Sequence, residues 1–128
     1  MQPELMLLVW AVVLTFVQML AAVGGATLQV GLPMLAGNRE GMPPLTGWAG
    51  RAQRAHHNML ESLVLFAALV LVAVASQKTN AATLLGAQIF LWARVAYAVI
   101  YGIGIPWLRT AVWFVSVIGL IMIFLQVV

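Results

Sequence analysis

Charged residues and cysteine are what this chain of 128 residues has least of. It contains six lysines and arginines, three acids and no cysteine, so that 7% of its residues are charged. A soluble domain carries about 25% charged residues. Because 64% of the residues are hydrophobic, the chain cannot cover a water-exposed surface with polar groups. The composition therefore predicts an integral membrane protein.

The same scarcity excludes several kinds of chemistry. Without cysteine there is no disulfide, no thiolate metal site and no cysteine nucleophile. Two histidines and three acids leave little material for a metal centre, so no metal is expected. The net charge is +3, but six basic residues scattered over membrane loops form no basic stripe. No nucleic acid is expected among the partners, whereas membrane lipid is.

Four apolar runs are long enough to cross a bilayer once their flanking turns are counted, because a spanning helix needs about 20 residues. The second helix is expected to begin near Arg51, before its apolar run. Backbone groups in lipid must be hydrogen-bonded internally, so the spans are predicted to be α-helices. The expected fold is an all-α membrane protein in which residues 1–128 form a single domain. The four runs are Leu5–Val30, about Leu60–Ala75, Ala81–Ile103 and Pro106–Val128.

The connections between these runs predict an up-down four-helix bundle. Pro33–Gly50 is a long loop with clustered glycine and proline, whereas Ser76–Asn80 and Gly102–Pro106 are short. Short connections join antiparallel neighbours. The arginines lie in or near the first and third connections, while the second contains only Lys78. Basic loops tend to stay in the cytoplasm, so both termini are predicted to lie outside.

The stretch GRAQRAHHNMLE, residues 50–61, places a polar face on the second helix. Arg54, Asn58 and Glu61 lie at i, i+4 and i+7, so they share one side of the helix. A charge within a membrane costs roughly 2.5–3.5 kcal/mol on insertion scales, and such residues are usually paired, turned inward and functional. A structural ion pair between Arg54 and Glu61 is the alternative, because structural networks also gather charge.

A second polar face lies on the third helix. Arg94, Tyr97 and Tyr101 lie at i, i+3 and i+7, and Arg109 begins the fourth helix near the same membrane boundary. Together with Glu61 these groups predict a cationic pocket with one carboxylate, which suits a small, multiply charged anion carrying an amine. A guanidinium beside a thiol lowers the pKa of that thiol. The alternatives are that the tyrosines belong to an interfacial belt and that Arg109 only snorkels.

Three motifs in this order resemble the MAPEG family, the membrane-associated proteins in eicosanoid and glutathione metabolism. The resemblance covers the whole chain, with four helices and a long first loop. The short chain and the stretch GIPWLRT are more similar to bacterial members. The motifs are Arg54-x-x-x-Asn58-x-x-Glu61, Arg94-x-x-Tyr97-x-x-x-Tyr101 and the arginine that follows Pro106, Arg109.

The resemblance implies a homotrimer in a bacterial inner membrane, with glutathione as co-substrate bound between subunits and open to the cytoplasm. It implies that Arg109 stabilises the glutathione thiolate. His57 and Arg51 are further candidates for substrate binding, and Trp113 is expected either to line the pocket or to face lipid. The residues implied to contact glutathione are Arg54, Asn58, Glu61, Arg94, Tyr97 and Tyr101.

The sequence departs from the family pattern in three places. Met59 stands where some relatives have an acid, and His57 stands where some have arginine. The spacing between Tyr101 and Arg109 varies within the family, so the role of Arg109 depends on where a gap is placed. Arg39 could match a first-loop arginine that contacts glutathione in the family, but this loop is too variable to align, so the role of Arg39 is left open.

The leading functional prediction is a glutathione-dependent membrane enzyme. It would activate glutathione as the thiolate, for conjugation to a lipophilic electrophile or for reduction of a lipid hydroperoxide. The acceptor, a lipophilic small molecule, would enter from the bilayer beside the fourth helix. The alternatives are a non-catalytic lipid-binding scaffold of the same fold and a small channel or transporter. The charges lie at one end of the bundle and not at the midplane, which disfavours a transporter.

Overall fold

Four long helices form an up-down bundle in the computed structural model, which describes residues 1–128. Each is long and apolar enough to cross a membrane, and there is no β-strand. The prediction of an all-α, four-helix integral membrane protein is confirmed. That residues 1–128 form one domain stays a prediction. The spanning helices are α1 (Pro3–Val30), α3 (Gly47–Ala75), α4 (Ala81–Ile103) and α5 (Pro106–Val127), and a short helix, α2 (Leu32–Ala36), follows α1.

The helix boundaries differ from the sequence prediction on either side of the first loop. α3 begins at Gly47, one turn before the predicted start near Arg51. α2 lies at the start of the predicted loop, where Gly31 at φ 84° ends α1 and Pro33 occupies the first turn of the new helix. Proline tolerates a first turn because its missing N–H has no intrahelical partner there. The connection between α2 and α3 is therefore shorter than the sequence suggests.

Local signals set the ends of α4 and α5. At the start of α4, the side chain of Asn80 accepts a hydrogen bond from the backbone N–H of Thr83 (2.9 Å). The hydroxyl of Thr83 accepts one from the backbone N–H of Asn80 (2.8 Å), which completes a capping box. Gly104 ends α4 in the left-handed conformation, at φ 91°. Pro106 then opens α5, so the two helices are joined by a tight reversal.

The bundle core positions α4 against its neighbours. The rings of Phe66 on α3 and Phe90 on α4 stack with their centroids 4.2 Å apart, and both are fully buried. α4 and α5 approach almost to backbone contact: a Cβ on Gly119 would lie 2.6 Å from the carbonyl oxygen of Gly86. Small residues allow such close packing of membrane helices. This packing determines how the polar face of α4 stands relative to α5.

The two ends of the bundle carry different polar groups. At one end, the hydroxyl of Thr83 donates to the buried carboxylate of Glu4 (3.2 Å), and Nζ of Lys78 donates to the carbonyl oxygen of Val127 (3.1 Å). Both termini and the α3–α4 turn therefore meet there. Arg51 and Arg109 lie together at the opposite end. Which end faces the cytoplasm stays a prediction, as does the bacterial inner membrane.

We predict that the arginine-rich end is cytoplasmic. The chain has no cysteine of its own, so single cysteines give a clean signal. Asn38 lies in the first loop, and Ser76 lies in the opposite turn and is close in size to cysteine. On intact cells, a membrane-impermeant thiol reagent should label Ser76→Cys and leave Asn38→Cys unlabelled until the cells are permeabilised. The reverse pattern would mean that the orientation is inverted.

Candidate functional site

An open cavity of about 460 Å³ lies between α3, α4 and α5, towards the arginine-rich end. It is called the main cavity below. Its wall combines two guanidinium groups, one carboxylate, one imidazole, one amide and two phenols. The helical faces that the sequence singled out on α3 and α4 both reach it. The lining residues are Arg54, His57, Asn58, Glu61, Tyr97, Tyr101, Arg109, Thr110 and Trp113.

The α3 side of the main cavity carries the polar residues predicted to share one face. Arg54 and Glu61 are exposed to it, and Asn58 between them is half-buried. The side-chain oxygen of Asn58 has no hydrogen-bond partner, although it is buried. A buried acceptor without a partner is costly, which favours a ligand that donates to it. His57, a further candidate from the sequence, also lines this cavity.

Tyr101 joins the two arginines of the main cavity. Nε of Arg54 donates to the Tyr101 hydroxyl (3.0 Å), so Arg54 makes its side-chain hydrogen bond to α4 and not to Glu61. From the other side, the guanidinium carbon of Arg109 lies 4.5 Å from the centroid of the Tyr101 ring. A guanidinium that stacks on an aromatic face keeps its N–H groups free at its edge. Both arginines are therefore held in place with donors left for an anion.

Arg94 lies deeper than the sequence suggested. It does not line the main cavity but lies behind Tyr97, with its guanidinium carbon 4.1 Å from the centroid of that ring. Arg94 is 1% exposed, and none of its three guanidinium nitrogens has a hydrogen-bond partner. Arg94 and Tyr97 share one face of α4, as the spacing predicts. Arg94 lies one turn earlier on the helix and, unlike Tyr97, is not part of the cavity wall.

Arg51 lies beside the main cavity and not in its wall. It lines a neighbouring cavity of about 210 Å³, to which Arg54 and Arg109 also contribute. Nε of Arg51 donates to the backbone carbonyl of Gly102 at the end of α4 (3.3 Å). A ligand confined to the main cavity would therefore not meet Arg51. That Arg51 takes part in substrate binding stays a prediction. Such a contact would be made in the neighbouring cavity.

Two further residues of α5, Thr110 and Trp113, complete the wall of the main cavity. Trp113 lines it, one turn after Arg109, which is one of the two positions expected for this side chain. Thr110 was missed as a site residue, although it directly follows Arg109. The Thr110 hydroxyl donates to the carbonyl oxygen of Pro106 (3.2 Å), so its oxygen can still accept a hydrogen bond from a ligand. Helical spacing from Arg109 was the sequence signal for Trp113, at i+4, whereas the position of Thr110 at i+1 gave no such signal.

The main cavity suits a zwitterionic or anionic organic ligand. No group of three or more histidine, cysteine or acidic side chains comes together in the structure. Glu61 is the only carboxylate in the cavity wall and can bind a cationic group of a ligand. The guanidinium groups of the same wall favour carboxylates. Trp113 supplies an apolar contact on the α5 side.

The sequence model of the MAPEG family matches residues 5–128. The chain belongs to the MAPEG family. This family consists of four-helix membrane proteins, which are glutathione-using transferases and peroxidases or proteins related to them, and its members are typically trimers. No curated protein and no solved structure matches this MAPEG protein. The match includes α1 from Leu5 onward and the whole of the other three spanning helices, and therefore every residue that lines the main cavity.

Proposed function

We propose that this MAPEG protein is a membrane enzyme that binds glutathione in the main cavity and activates it as the thiolate. One observation carries the proposal: a single carboxylate, Glu61, shares a cavity with Arg54 and Arg109. Glutathione carries one ammonium group, two carboxylates, two peptide amides and a thiol. The cavity offers a carboxylate for the ammonium group and guanidinium groups for a carboxylate and for the thiolate, and about 460 Å³ falls within the usual range for small-molecule sites.

The proposed binding mode follows from the chemistry of the wall. Glu61 accepts hydrogen bonds from the glutathione ammonium. Arg54, anchored by its hydrogen bond to Tyr101, binds a carboxylate. The free side-chain oxygen of Asn58 accepts from a peptide N–H. Each of these groups is on α3, so one helix would hold the peptide while the thiol is left towards α5.

Arg109 is the proposed activator of the thiol. Its guanidinium would stabilise the thiolate sulfur, and the thiol proton would pass to solvent. In a conjugation the sulfur bonds to an electrophilic carbon, and the leaving group departs with the electron pair of the broken bond. With a hydroperoxide, the sulfur attacks the terminal oxygen and the O–O bond breaks. A second glutathione then forms the disulfide, so that the products are oxidised glutathione, an alcohol and water.

The alternative, a non-catalytic lipid-binding scaffold, has its own supporting observation. A cavity of about 360 Å³ lies between α1, α2 and α3 and is lined mainly by apolar residues. Arg39, His56 and His57 stand at its polar side. An amphiphile could occupy this cavity without any reaction. The scaffold would bind lipid, but its main cavity would not support turnover.

Calorimetric titration of the purified protein in detergent tests the proposed function. Glutathione and S-hexylglutathione should both bind saturably, the second more tightly because its hexyl group reaches the apolar contact at Trp113. Turnover of an electrophile or a hydroperoxide should follow in the same preparation. If neither peptide binds, the enzyme proposal is wrong. If fatty acids bind but no acceptor is turned over, the scaffold is the better description.

We also propose that the protein is a homotrimer. The main cavity is open along one side of the chain, and many large apolar side chains are exposed on the helices. Neighbouring subunits would close the open side and cover part of that surface. The mass of the protein in detergent, corrected for bound detergent, should equal three chains. A monomer that binds glutathione as tightly as any larger species would contradict the proposal.

A further inference from the structure

Gln18 on α1 is a polar residue that lies within the membrane but outside the main cavity. It is 8% exposed, and its side-chain oxygen is buried without a hydrogen-bond partner. Gly25 of the same helix packs against Trp48, since a Cβ on Gly25 would lie 2.9 Å from that ring. Gln18 lies seven residues, or about 10 Å of helix, further into the membrane. Polar residues at such depth usually pair with one another or mark the path of a ligand.

Gln18 lines a groove of about 230 Å³ between α1, α3 and α4, which is called the lateral groove below. The groove reaches from Gln18 to Trp48 and Gly102, which lie near helix ends at the arginine-rich end of the bundle. A cavity of about 150 Å³ takes one benzene molecule, so the lateral groove has room for a slender chain. Small side chains form most of its wall, namely Ala21, Ala52, Ala55 and Ala98.

The lateral groove and the main cavity are separate. Ala55 lines the groove and packs in one buried cluster with Tyr97 and Tyr101, which line the main cavity. This cluster closes the seam between α3 and α4. The lateral groove therefore shares no lining residue with the main cavity or with the cavity beside Arg51.

The lateral groove is suited to the apolar part of a membrane lipid. No charged residue lines it. Val17, next to Gln18, and Val99, next to Ala98, are both more than half exposed. The flanks of the groove on α1 and α4 therefore present apolar surface, along which an acyl chain can enter sideways from the bilayer.

A hydroxyl group is the partner that best satisfies Gln18. A side-chain amide offers an acceptor and two donors, and a hydroxyl both donates and accepts, so it can pair with either end of the amide. A single water molecule needs two to four polar partners. Apart from Gln18, the only polar side-chain group in the groove wall is the indole of Trp48, at the other end. A hydroxyl carried on an apolar chain needs no further polar partner, because the wall contacts the chain.

The depth of Gln18 determines where on the chain the hydroxyl lies. Tryptophan is enriched at the level of the lipid head groups, and Trp48 is half exposed at the outer end of the groove. Half of the hydrocarbon core is about 15 Å thick. At about 10 Å below Trp48, Gln18 lies about two thirds of the way through one leaflet. A hydroxyl next to a head group would not reach it.

We propose that the lateral groove binds an acyl chain that carries a hydroxyl group about two thirds of the way along its length. The hydroxyl pairs with the amide of Gln18, and the chain lies along the alanines towards Trp48. The proposal does not depend on the glutathione chemistry of the main cavity. An alcohol of this kind is nevertheless what the reduction of a mid-chain lipid hydroperoxide would release.

Binding of two fatty-acid methyl esters tests this proposal. Ricinoleate is oleate with one added hydroxyl group, about two thirds of the way along the chain, and the methyl esters carry no charge. Equilibrium binding of each tritiated ester to the immobilised protein in detergent gives its affinity. Gln18→Leu should lower the preference for methyl ricinoleate over methyl oleate about three- to thirty-fold, the effect of one hydrogen bond within a membrane. Comparing variants cancels the different partitioning of the two esters into micelles.

Two controls match this experiment. Gln88→Leu makes the same change at an exposed position of α4 outside the lateral groove, and it should leave the preference unaltered. The methyl ester of α-hydroxyoleic acid carries its hydroxyl next to the head group. Its affinity should be the same for the wild type and Gln18→Leu. Ala98→Leu fills the groove and should weaken the binding of methyl ricinoleate and methyl oleate alike.

Four results would overturn the proposal. The preference could survive in Gln18→Leu, or fall as far in Gln88→Leu. Ala98→Leu could bind both esters as tightly as the wild type, which would place the chain elsewhere. S-hexylglutathione could displace methyl ricinoleate, which would place the ester in the main cavity. A protein that binds no glutathione but loses the preference only in Gln18→Leu would support this site while contradicting the proposed function.

Discussion

Replacing Arg109 with alanine should lower the turnover of a model electrophile such as chlorodinitrobenzene about a hundred-fold, the usual effect of removing one group that stabilises reacting charge. A free thiol near pKa 8.5 is mostly protonated at neutral pH. Arg109 is the cation on the α5 side of the main cavity, where the thiol is expected. Glutathione binding should remain nearly intact, because the peptide contacts are assigned to α3.

Two measurements separate activation from binding in this variant. The ultraviolet absorbance of a thiolate should appear when glutathione is added to the wild type and should be absent in Arg109→Ala. Calorimetry on the same samples reports the affinity. Lys78→Ala removes an exposed basic residue at the opposite end of the bundle and serves as the control for net charge. If the thiolate signal and turnover survive in Arg109→Ala but vanish in Arg94→Ala, the buried arginine is the activator.

Replacing Glu61 with glutamine should weaken glutathione binding about ten- to a hundred-fold. The substitution keeps the shape and removes the only carboxylate that lines the main cavity. Losing a hydrogen bond to a charged group costs roughly 1.5–3 kcal/mol, which gives that range. Calorimetric titration measures the change directly. Glu40→Gln removes an exposed acid from the first loop and should leave the affinity unaltered.

A glutathione analogue without the amino group sharpens this test. It lacks the group that Glu61 is proposed to bind, so the wild type and Glu61→Gln should bind it with similar affinity. A correctly assembled Glu61→Gln protein that binds glutathione as tightly as the wild type would contradict the assignment. So would a variant that loses affinity for the analogue to the same extent, because the carboxylate would then act on some other part of the ligand.

Much of the fold and of the site could be predicted because helical geometry is fixed. Residues at i, i+4 and i+7 must share a face, so Arg54, Asn58 and Glu61 were grouped correctly from spacing alone. Four apolar runs separated by turns leave few arrangements for a small membrane protein. The low number of charged residues made each polar position conspicuous.

The depth and the partners of the site residues could not be predicted from one sequence. Periodicity places Arg94 on the face of Tyr97 but does not say that Arg94 is buried against that ring and is absent from the cavity wall. The hydrogen bond from Arg54 to Tyr101 joins two helices, and it depends on how these pack. From the sequence, an ion pair between Arg54 and Glu61 within α3 was therefore as plausible as a hydrogen bond from Arg54 to another helix. The separate position of Arg51 follows from the tight α4–α5 turn at Gly104, which spacing does not reveal.

The position of Tyr101 between two arginines has a consequence for anyone who would redesign this protein. The ring contacts Arg54 through its hydroxyl and Arg109 through its face, so moving it displaces both. Affinity for the peptide and reactivity of its sulfur could not be adjusted separately through this residue. Thr110 and Trp113 line the same cavity but do not hold either arginine in place. Altered acceptor preference is best sought on that side of α5, where a library of variants would leave the arginines undisturbed.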